Sequence, residues 1–369
     1  MGRMGTCRRC GKEAVTISRR LGFCAPCIRE HFQEVWPEIA RVHAESRRAF
    51  GLPESPPQGP GLPCNLCFHR CRLPEGERGY CGLWENRGGR LVGAGPEEAR
   101  VSWYLDPLPT NCVADFVCPG GTGAGYPRFA RRPGPEYGCY NLAVFYEACN
   151  FNCLYCQNWH FKKVPPERRR GSREMLKALT PEVTCICYFG GDPGPQAPHA
   201  LAFSRRALRE KTHRPLRICW ETNGAENPRI LKEMFRLSLE TGGILKVDLK
   251  AASPEIHRAL CGVSNEATLS NFRELAALWE KRPEPPPLTA STLLVPGYVD
   301  EEELWALARF LAELNPEIPW SLLAFYPTFW LDDLPTTSAR HARQALEIAR
   351  AAGLRRVHLG NRHLLGSAY

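Results

Sequence analysis

The chain has 369 residues, of which 43% are hydrophobic and 24% are charged, values that are ordinary for a soluble globular protein with a substantial core. The formal net charge of +9 is modest for this length, and the longest basic run is Arg168–Arg170, so the composition does not indicate a nucleic-acid-binding protein. The N-terminus has no apolar signal segment, and no apolar run is long enough to span a bilayer. This predicts a cytoplasmic protein with no membrane partner.

Cysteine is the residue type whose abundance stands out, with 18 copies in the chain. In the reducing cytoplasm, clustered cysteines predict metal ligands rather than disulfides. Because so many thiols are sensitive to oxidation, we expect an anaerobic source.

The first cluster consists of two Cys-x-x-Cys pairs at the N-terminus, Cys7 with Cys10 and Cys24 with Cys27. This arrangement resembles a zinc ribbon or a rubredoxin-like site. Four thiolates complete a tetrahedral shell, so the sequence predicts either structural zinc or mononuclear iron and implies no catalytic role.

A helical segment and a linker follow. Apolar residues between Ile28 and Phe50 recur at near-helical spacing, which predicts a helix or a kinked helix pair interrupted at Pro37. Residues 51–63 are rich in proline and glycine and predict a linker. We therefore place a first domain at residues 1–50.

A second set of four cysteines follows the linker: Cys64, Cys67, Cys71 and Cys81. Four thiols again form a complete ligand set, and both an auxiliary iron–sulfur cluster and a zinc site fit them. We favour the cluster, because it can pass single electrons to a redox site further along the chain.

The predicted second domain, residues 64–140, contains three more cysteines, Cys112, Cys118 and Cys139, around the glycine-rich run 119–125. No Gly-Lys-Ser/Thr follows the glycines, so a phosphate-binding loop is not indicated. The three thiols can ligate a second auxiliary cluster, line a cavity or remain unligated, and the sequence leaves these alternatives open.

From residue 141 to residue 369, short β-rich runs alternate with helical ones, which predicts parallel β/α units. About six units can be counted, fewer than the eight of a closed barrel. The fold class predicted is therefore α/β, a partial (β/α)6 barrel with small cysteine-rich N-terminal domains. The predicted strands lie near Leu142–Tyr146, Thr184–Phe189, Leu216–Trp220, Ile244–Asp248, Ala290–Val295 and Ser321–Phe325. The predicted helices are Pro198–Arg209, Pro228–Glu240, Leu269–Glu280 and Glu301–Leu314.

Three thiols directly after the first of these strands form the most informative motif, Cys149-Asn-Phe-Asn-Cys153-Leu-Tyr-Cys156. Three thiolates suit a [4Fe–4S] cluster with one iron left open, whereas a zinc knuckle is the alternative. The motif resembles the cluster loop of the radical S-adenosylmethionine (SAM) superfamily. That resemblance implies that Cys149, Cys153 and Cys156 hold the cluster and that its open iron binds SAM.

The resemblance extends to residues that follow other strands, where ligands of parallel barrels bind. It implies that Tyr155 packs on adenine, that the Gly190–Pro193 turn meets the SAM amino group, and that the Glu221-Thr-Asn-Gly turn binds ribose or the ammonium group. A cation after the fourth strand can pair with the SAM carboxylate. The residues implied for SAM binding are Tyr155, Gly190, Gly191, Asp192, Glu221, Asn223 and Lys250.

Two further stretches resemble pyruvate formate-lyase activating enzyme, residues 255–265 and 294–300, and residues 61–100 resemble radical SAM proteins related to it. In one respect the chain departs from that family, because residues 301–306 lack its SAM-contacting histidine. The chain also lacks the Asp-x-His-x-x-Gly signature of the usual cobalamin-binding domain.

The function expected from this resemblance is reductive cleavage of SAM and removal of a hydrogen atom from a C–H bond of a protein or peptide, with ferredoxin or flavodoxin as electron donor. Two alternatives are other protein modifications: glycyl-radical formation, or cobalamin-dependent methylation of a side chain, for instance in methyl-coenzyme M reductase. Two further alternatives are an enzyme that modifies RNA bound by the N-terminal Cys7–Cys27 segment, and an electron-transfer or scaffold protein.

Overall fold

Short elements fill the N-terminal part of the chain, and longer strands and helices alternate in the remainder. The structure is a computed structural model that describes residues 4–165, 168–211 and 213–369. The N-terminal elements are β1 (Gly5–Thr6), β2 (Glu13–Ala14), α1 (Ala25–Glu30), α2 (Phe32–Arg48), β3 (Leu62–Pro63), β4 (Arg72–Leu73), β5 (Glu85–Arg87), β6 (Arg90–Val92), β7 (Glu98–Ala99) and β8 (Val101–Pro107). They are followed by α3 (Pro119–Thr122), β9 (Tyr140–Tyr146), β10 (Arg170–Gly171), α4 (Ser172–Lys177), β11 (Val183–Gly190), α5 (Ala197–Glu210), β12 (Arg217–Thr222), α6 (Pro228–Thr241), β13 (Leu245–Asp248), α7 (Pro254–Cys261), α8 (Glu266–Ala276), β14 (Leu288–Leu294), α9 (Glu301–Leu314), β15 (Trp320–Ala324), α10 (Ala339–Ala351) and β16 (Val357–Gly360).

One eight-stranded sheet organises the fold, in the order β16-β15-β14-β13-β12-β11-β9-β8. The seven strands from β9 to β16 in this sheet are parallel, whereas β8 pairs with β9 in the antiparallel sense. Within the described residues β8 and β16 do not pair, so the sheet is not closed by hydrogen bonds. The predicted α/β class is confirmed, and all six predicted strands are present. The sheet adds β16 at one edge and β8 at the other.

Helix boundaries follow local capping. The side chains of Ser253, Asp300 and Ser338 each accept a hydrogen bond from a backbone N–H in the first turn of α7, α9 and α10. The segment predicted as one helix, residues 269–280, forms two elements. Helix α8 ends at Ala276, and a separate 3-10 turn follows at Trp279–Lys281. In the N-terminal segment the break falls at His31, between α1 and α2, and Pro37 lies inside α2.

The N-terminal segment packs directly on the sheet domain. Buried apolar residues of both regions, such as Ile39 and Leu304, belong to one continuous core. On α1, Arg29 donates two hydrogen bonds to Asp300 at 3.1 and 2.7 Å, and Tyr298 donates to the carbonyl oxygen of Phe23 at 3.0 Å. The cysteine-rich segments are therefore built into the same body as the parallel sheet.

The stretch 51–63, predicted to be a linker, has irregular structure up to β3 and packs against its neighbours. The Arg72 N–H donates to the carbonyl oxygen of Pro57 at 2.9 Å. The division of the chain into domains at this stretch stays a prediction. No helix of the described ranges is both long enough and apolar enough to cross a membrane, and the cytoplasmic location also stays a prediction.

A buried ion pair fixes the start of β12 to the segment that precedes β9. Arg217 and Glu136 are 2% and 0% exposed, and two parallel hydrogen bonds of 2.9 and 2.7 Å join them. Burial alone would raise the pKa of Glu136, but the Arg217 guanidinium outweighs burial and lowers it. An isolated buried charge is costly, so each partner depends on the other.

We predict that Glu136→Gln lowers the free energy of unfolding by about 3–5 kcal/mol near neutral pH, because Arg217 is left as an uncompensated buried charge. The pKa of Glu136 is lowered by folding, so its contribution is present above the unfolded pKa and is lost as the pH falls through the folded pKa. Chemical denaturation at about pH 7 and about pH 3 should show the two proteins converging in acid.

The matched control is Glu233→Gln, which removes an exposed carboxylate paired with Arg205 and Arg236. It should cost less than about 1 kcal/mol. An equal loss in both variants would contradict the importance of burial.

Candidate functional site

A cavity of about 190 Å³ opens at the C-terminal ends of β9, β11, β12 and β13, where the strand-end motifs converge. Its walls include the three thiols of the Cys149–Cys156 loop and every residue implied for SAM binding. The cavity is lined by Cys149, Cys153, Tyr155, Cys156, Gly190, Gly191, Asp192, Glu221, Asn223 and Lys250, among others. The fold thus brings together residues that lie up to 101 positions apart in the chain.

The loop that carries the three thiols is held from below by helix α2. The Asn152 side chain is completely buried and donates to Ser46 Oγ at 2.7 Å and to His43 Nδ1 at 3.1 Å, while its oxygen accepts from Lys162 Nζ at 2.8 Å. Burial lowers the pKa of His43 to about 4, so the ring is neutral and its Nε2 donates to the carbonyl oxygen of Ala259 at 3.1 Å. The loop therefore depends on the N-terminal helix for its shape.

Two other segments form hydrogen bonds with the same loop. His69, from the second cysteine set, donates from Nε2 to the carbonyl oxygen of Asn150 at 2.7 Å. At the end of α7, the carbonyl oxygens of Leu260 and Cys261 accept from the N–H groups of Leu154 and Asn152. These backbone bonds leave the thiols free to face the cavity.

The donor chemistry of the loop fits an iron–sulfur cluster. The Phe151 N–H donates to Cys149 Sγ at 3.3 Å, and Asn223 Nδ2 lies 3.9 Å from the same sulfur. Hydrogen bonds to sulfur stabilise thiolates and tune cluster potentials. The three sulfurs do not all lie within 4.8 Å of one another, as expected when each thiolate binds a different iron.

Asp192 ties the ends of β11 and β12 together beneath the cavity floor. Its carboxylate accepts from the N–H groups of Gly194 at 2.7 Å and Asn223 at 2.8 Å, and from Thr222 Oγ1 at 3.0 Å. Burial raises the pKa of Asp192, and burial together with Asp192 raises the pKa of Glu226 well above its usual range. Asp192 therefore supports the turn as well as lining the cavity wall.

The turn after β11 has room only for glycine. Gly190 has φ of +112°, and a Cβ at this position would lie 2.7 Å from Tyr146 N. A Cβ on Gly191 would lie 2.3 Å from the carbonyl oxygen of Ala148. Two adjacent glycines let the backbone pass close to the cysteine loop and leave its polar groups at the cavity.

Charged groups on the cavity wall are arranged in pairs. Lys250 Nζ lies 2.7 Å from Asp248 Oδ2; burial acts against its charge, but Asp248 and the nearby thiols raise the pKa of Lys250 well above its usual value. Glu221 lines the cavity as well and pairs with Lys246 at 3.0 Å. Lys250 thus brings a positive charge to the cavity wall with its position fixed by Asp248, and Glu221 is fixed in the same way by Lys246.

Sequence reasoning missed several residues of this site. Lys162 lines the cavity and holds Asn152, yet nothing in its local sequence distinguishes it. Cys261 lies beside the loop, with its sulfur 3.6 Å from Tyr155 Oη. Cys261 lies within residues 255–265, one of the stretches that resemble pyruvate formate-lyase activating enzyme. Its presence there, in a chain with clustered thiols, was a signal that could have identified it.

The N-terminal four-cysteine set is a compact metal-binding geometry. The sulfurs of Cys7, Cys10, Cys24 and Cys27 all lie within 4.8 Å of one another, and those of Cys10 and Cys24 are 3.8 Å apart. A tetrahedral site with metal–sulfur bonds of about 2.3 Å has edges of about 3.8 Å. Within the described ranges it is the one group of three or more such ligands gathered so closely. These residues can hold one metal ion.

The second cysteine set surrounds a small cavity of its own. Cys64, Cys67, Cys71 and Cys81 line it together with His69, and most of its wall is apolar. No three of these sulfurs gather within 4.8 Å, which separates the set from the compact N-terminal site. This wider arrangement fits a multinuclear cluster better than a single ion.

We predict that Asn152→Ala reduces the iron retained by the reconstituted protein and lowers the free energy of unfolding by about 1–3 kcal/mol, because Ser46 and Lys162 lose their buried partner. Iron content after gel filtration and chemical denaturation check the two effects.

Asn265→Ala is the control, since Asn265 is similarly buried and donates to the carbonyl oxygens of Ala251 and Ala252. It should cost similar stability with iron unchanged. Equal iron loss in both variants would contradict a specific role for Asn152.

Comparisons with known proteins agree with this geometry. Residues 143–311 match the family model described as the radical SAM superfamily. An uncharacterised protein of Methanocaldococcus jannaschii is 25% identical over 314 residues, which cover 81% of this chain and 80% of that protein. The isethionate sulfite-lyase activating enzyme of Oleidesulfovibrio alaskensis is 30% identical over 142 residues, 38% of this chain and 41% of the enzyme.

The pyruvate formate-lyase 1-activating enzyme of Escherichia coli is 27% identical over 176 residues, 43% of this chain and 63% of the enzyme, so the match spans less than two thirds of either activating enzyme. A solved domain of pyruvate-formate lyase-activating enzyme from Bacteroides vulgatus has a TM-score of 0.37 and 24% identity, covering 48% of this chain and 98% of that domain. The chain therefore carries a radical SAM domain and has relatives named as activating enzymes of pyruvate formate-lyase.

Proposed function

We propose that this protein removes a hydrogen atom from a C–H bond of a protein or peptide substrate. The observation that carries this proposal is the convergence of three loop thiols, Tyr155 of the same loop and six strand-end residues on one cavity. A radical SAM domain implies a [4Fe–4S] cluster and SAM, and these two groups, when bound, would supply the chemistry, which is reductive cleavage of SAM coupled to removal of the hydrogen.

The residues of the chain bind and orient. Cys149, Cys153 and Cys156 hold the cluster in the pocket beneath the strand ends. Lys250 offers the positive charge that a SAM carboxylate needs, and Asp248 fixes the position of its ammonium group. The narrow turn at Gly190 and Gly191 presents backbone polar groups to the SAM ammonium.

A protein substrate is supported by the names of two relatives. Activating enzymes of pyruvate formate-lyase and of isethionate sulfite-lyase have, by those names, another protein as their target. The glycyl-radical, cobalamin-dependent methyl-transfer and RNA alternatives stay predictions, as do zinc or mononuclear iron at the N-terminal site.

The second cysteine set is placed to deliver electrons, and we infer that it holds an auxiliary iron–sulfur cluster. Cys81 adjoins Tyr80, whose ring centre lies 4.4 Å from that of His69. His69 bonds to the carbonyl of Asn150, the neighbour of Cys149. A continuous path of covalent bonds and close contacts therefore links the two thiol sets, and ferredoxin or flavodoxin is the electron donor that we expect at its outer end.

The substrate class can be tested by isotope transfer. The reduced, reconstituted protein is incubated with SAM and a perdeuterated extract of anaerobic cells, separated by ultrafiltration into large and small molecules. We predict that 5′-deoxyadenosine acquires deuterium only with the large-molecule fraction. Treating that fraction with protease beforehand should abolish the transfer, and treating it with ribonuclease should not.

The variant Cys149→Ala/Cys153→Ala/Cys156→Ala should form less than about 1% of the 5′-deoxyadenosine, whereas Cys139→Ser, which lies outside all the cavities described, should retain it. A protein substrate would be refuted if deuterium transfer survived protease but not ribonuclease treatment of the large-molecule fraction. Deuterium transfer from the small-molecule fraction alone would refute it too.

The electron path gives a separate prediction. Cys67→Ser/Cys71→Ser should slow 5′-deoxyadenosine formation at least about tenfold when flavodoxin or ferredoxin is the reductant, and much less with dithionite, which can reach the loop cluster directly. Cys139→Ser, at a buried cysteine outside both four-cysteine sets, serves as the control. Equal slowing with both kinds of reductant would show that the second set is structural.

A further inference from the structure

A second cavity, of about 120 Å³, lies on the same face of the sheet as the first one, nearer the N-terminal ends of β11 and β12. Five cysteines line it, and we call it the thiol chamber, defined by Cys112, Cys118, Cys185, Cys187 and Cys219. Phe189 and Glu221 line both this chamber and the 190 Å³ cavity at the strand ends, which we call the SAM cavity. The two spaces are therefore neighbours. None of the five thiols takes part in the sites described above.

Three of these thiols come from the alternation of side chains along parallel strands. Cys185 and Cys187 stand two residues apart on β11 and therefore face the same side of the sheet. Cys219 on β12 is the register partner of Cys187. The sulfurs of Cys185 and Cys219 are 3.5 Å apart, close to the separation of two thiolates on one metal atom.

The other two thiols come from the loop between β8 and α3, which covers the chamber. The Ala114 N–H donates to Cys112 Sγ at 3.5 Å, and the Gly121 N–H donates to Cys118 Sγ at 3.2 Å. The same N–H to sulfur contact occurs at Cys149, in the cluster loop. Such contacts stabilise the thiolate form that binds metals.

A buried cation completes the chamber. Lys246 is 3% exposed, and its Nζ lies 3.1 Å from both Cys112 Sγ and Cys187 Sγ and 3.0 Å from Glu221 Oε1. A buried ammonium needs compensating negative charge, and two of its three donors point at sulfur. Glu221 supplies one negative charge, and the two ammonium contacts to sulfur give the chamber a cation that would offset the charge of thiolate ligands.

We propose that the thiol chamber holds an iron–sulfur cluster, a third centre in addition to those at the Cys149 loop and the Cys64–Cys81 set. Soft thiolates select iron–sulfur clusters or zinc. No three of the chamber sulfurs gather within 4.8 Å, which does not fit a single zinc ion but does fit ligands spread over several irons. The assignment does not depend on the proposed function, because it rests on thiol geometry alone.

Such a cluster has a defined place relative to the reaction. Only the side chains of Phe189 and Glu221 are shared between the two cavities, so the cluster sits directly behind the wall of the SAM cavity. Glu221 connects the two spaces physically, because it faces the SAM cavity and also binds the Lys246 ammonium at the chamber sulfurs. The chamber is thereby positioned to exchange electrons with a substrate held at the SAM cavity.

The test uses the full-length protein, purified without oxygen and reconstituted with iron and sulfide. Iron, acid-labile sulfide and zinc are counted per chain in the parent, in Cys185→Ser/Cys219→Ser and in Cys112→Ser/Cys118→Ser. We expect each double variant to lose about two to four irons and as many sulfides, with a matching loss of cluster signal in the Mössbauer spectrum. Cys139→Ser, a buried cysteine outside the chamber, should lose none.

The two double variants alter different elements, a pair of strands and a surface loop, so the loop variant decides the matter if the strand variant fails to fold. Iron equal to that of the parent in a folded double variant would overturn the proposal, and so would loss of zinc with iron unchanged. Formation of 5′-deoxyadenosine by the same samples is scored separately. A failed chamber assignment therefore leaves the proposed hydrogen abstraction untouched, and the reverse also holds.

Discussion

The hydrogen bonds of the Asn152 amide are the constraint on which the arrangement of this molecule depends. One buried side chain joins the thiol loop after β9 to Ser46 and His43 on helix α2, and to Lys162 beyond the loop. The loop cannot form its observed shape from its own residues, because its three cysteines must point to the cavity while its backbone is buried. Helix α2 binds the Asn152 side chain and His69 binds the Asn150 carbonyl oxygen, so the N-terminal segments are part of the structure that holds the site.

Several buried charged groups lie where two segments meet. Arg217 and Glu136 join β12 to the chain before β9, Lys246 and Glu221 join β13 to β12, and the Asp192 carboxylate accepts from the Asn223 N–H, which links the ends of β11 and β12. Charges without such partners would be expensive inside a sheet of apolar residues. Fixed ion pairs and hydrogen bonds of this kind are the environment that preorganised binding of a charged ligand requires.

Much of this structure could be predicted from the sequence, because its strongest signals are local. The strand alternation gave six strands of the sheet, and the thiol spacing marked the loop that lies at their ends. Contacts between distant segments produce no comparable pattern in the sequence. Nothing near Lys162 or His69 shows that each supports the cysteine loop, and Cys185, Cys187 and Cys219 look like ordinary strand residues until the register of β11 and β12 places them together. Edge strand β8 was also missed, since it pairs antiparallel in a pattern otherwise made of β/α units.

The position of α1 has a consequence for how the protein matures. Cys24 and Cys27 flank the first turn of α1, and α2 follows after a single residue, His31. A metal ion at the N-terminal site would thus set the direction of both helices, including the turn of α2 that carries His43 and Ser46. Because metal binding at such a site stabilises the fold around it, an ion held there would stabilise the helix that supports the cysteine loop more than 100 residues further along the chain. The N-terminal metal site and the SAM site would then be coupled through helix α2.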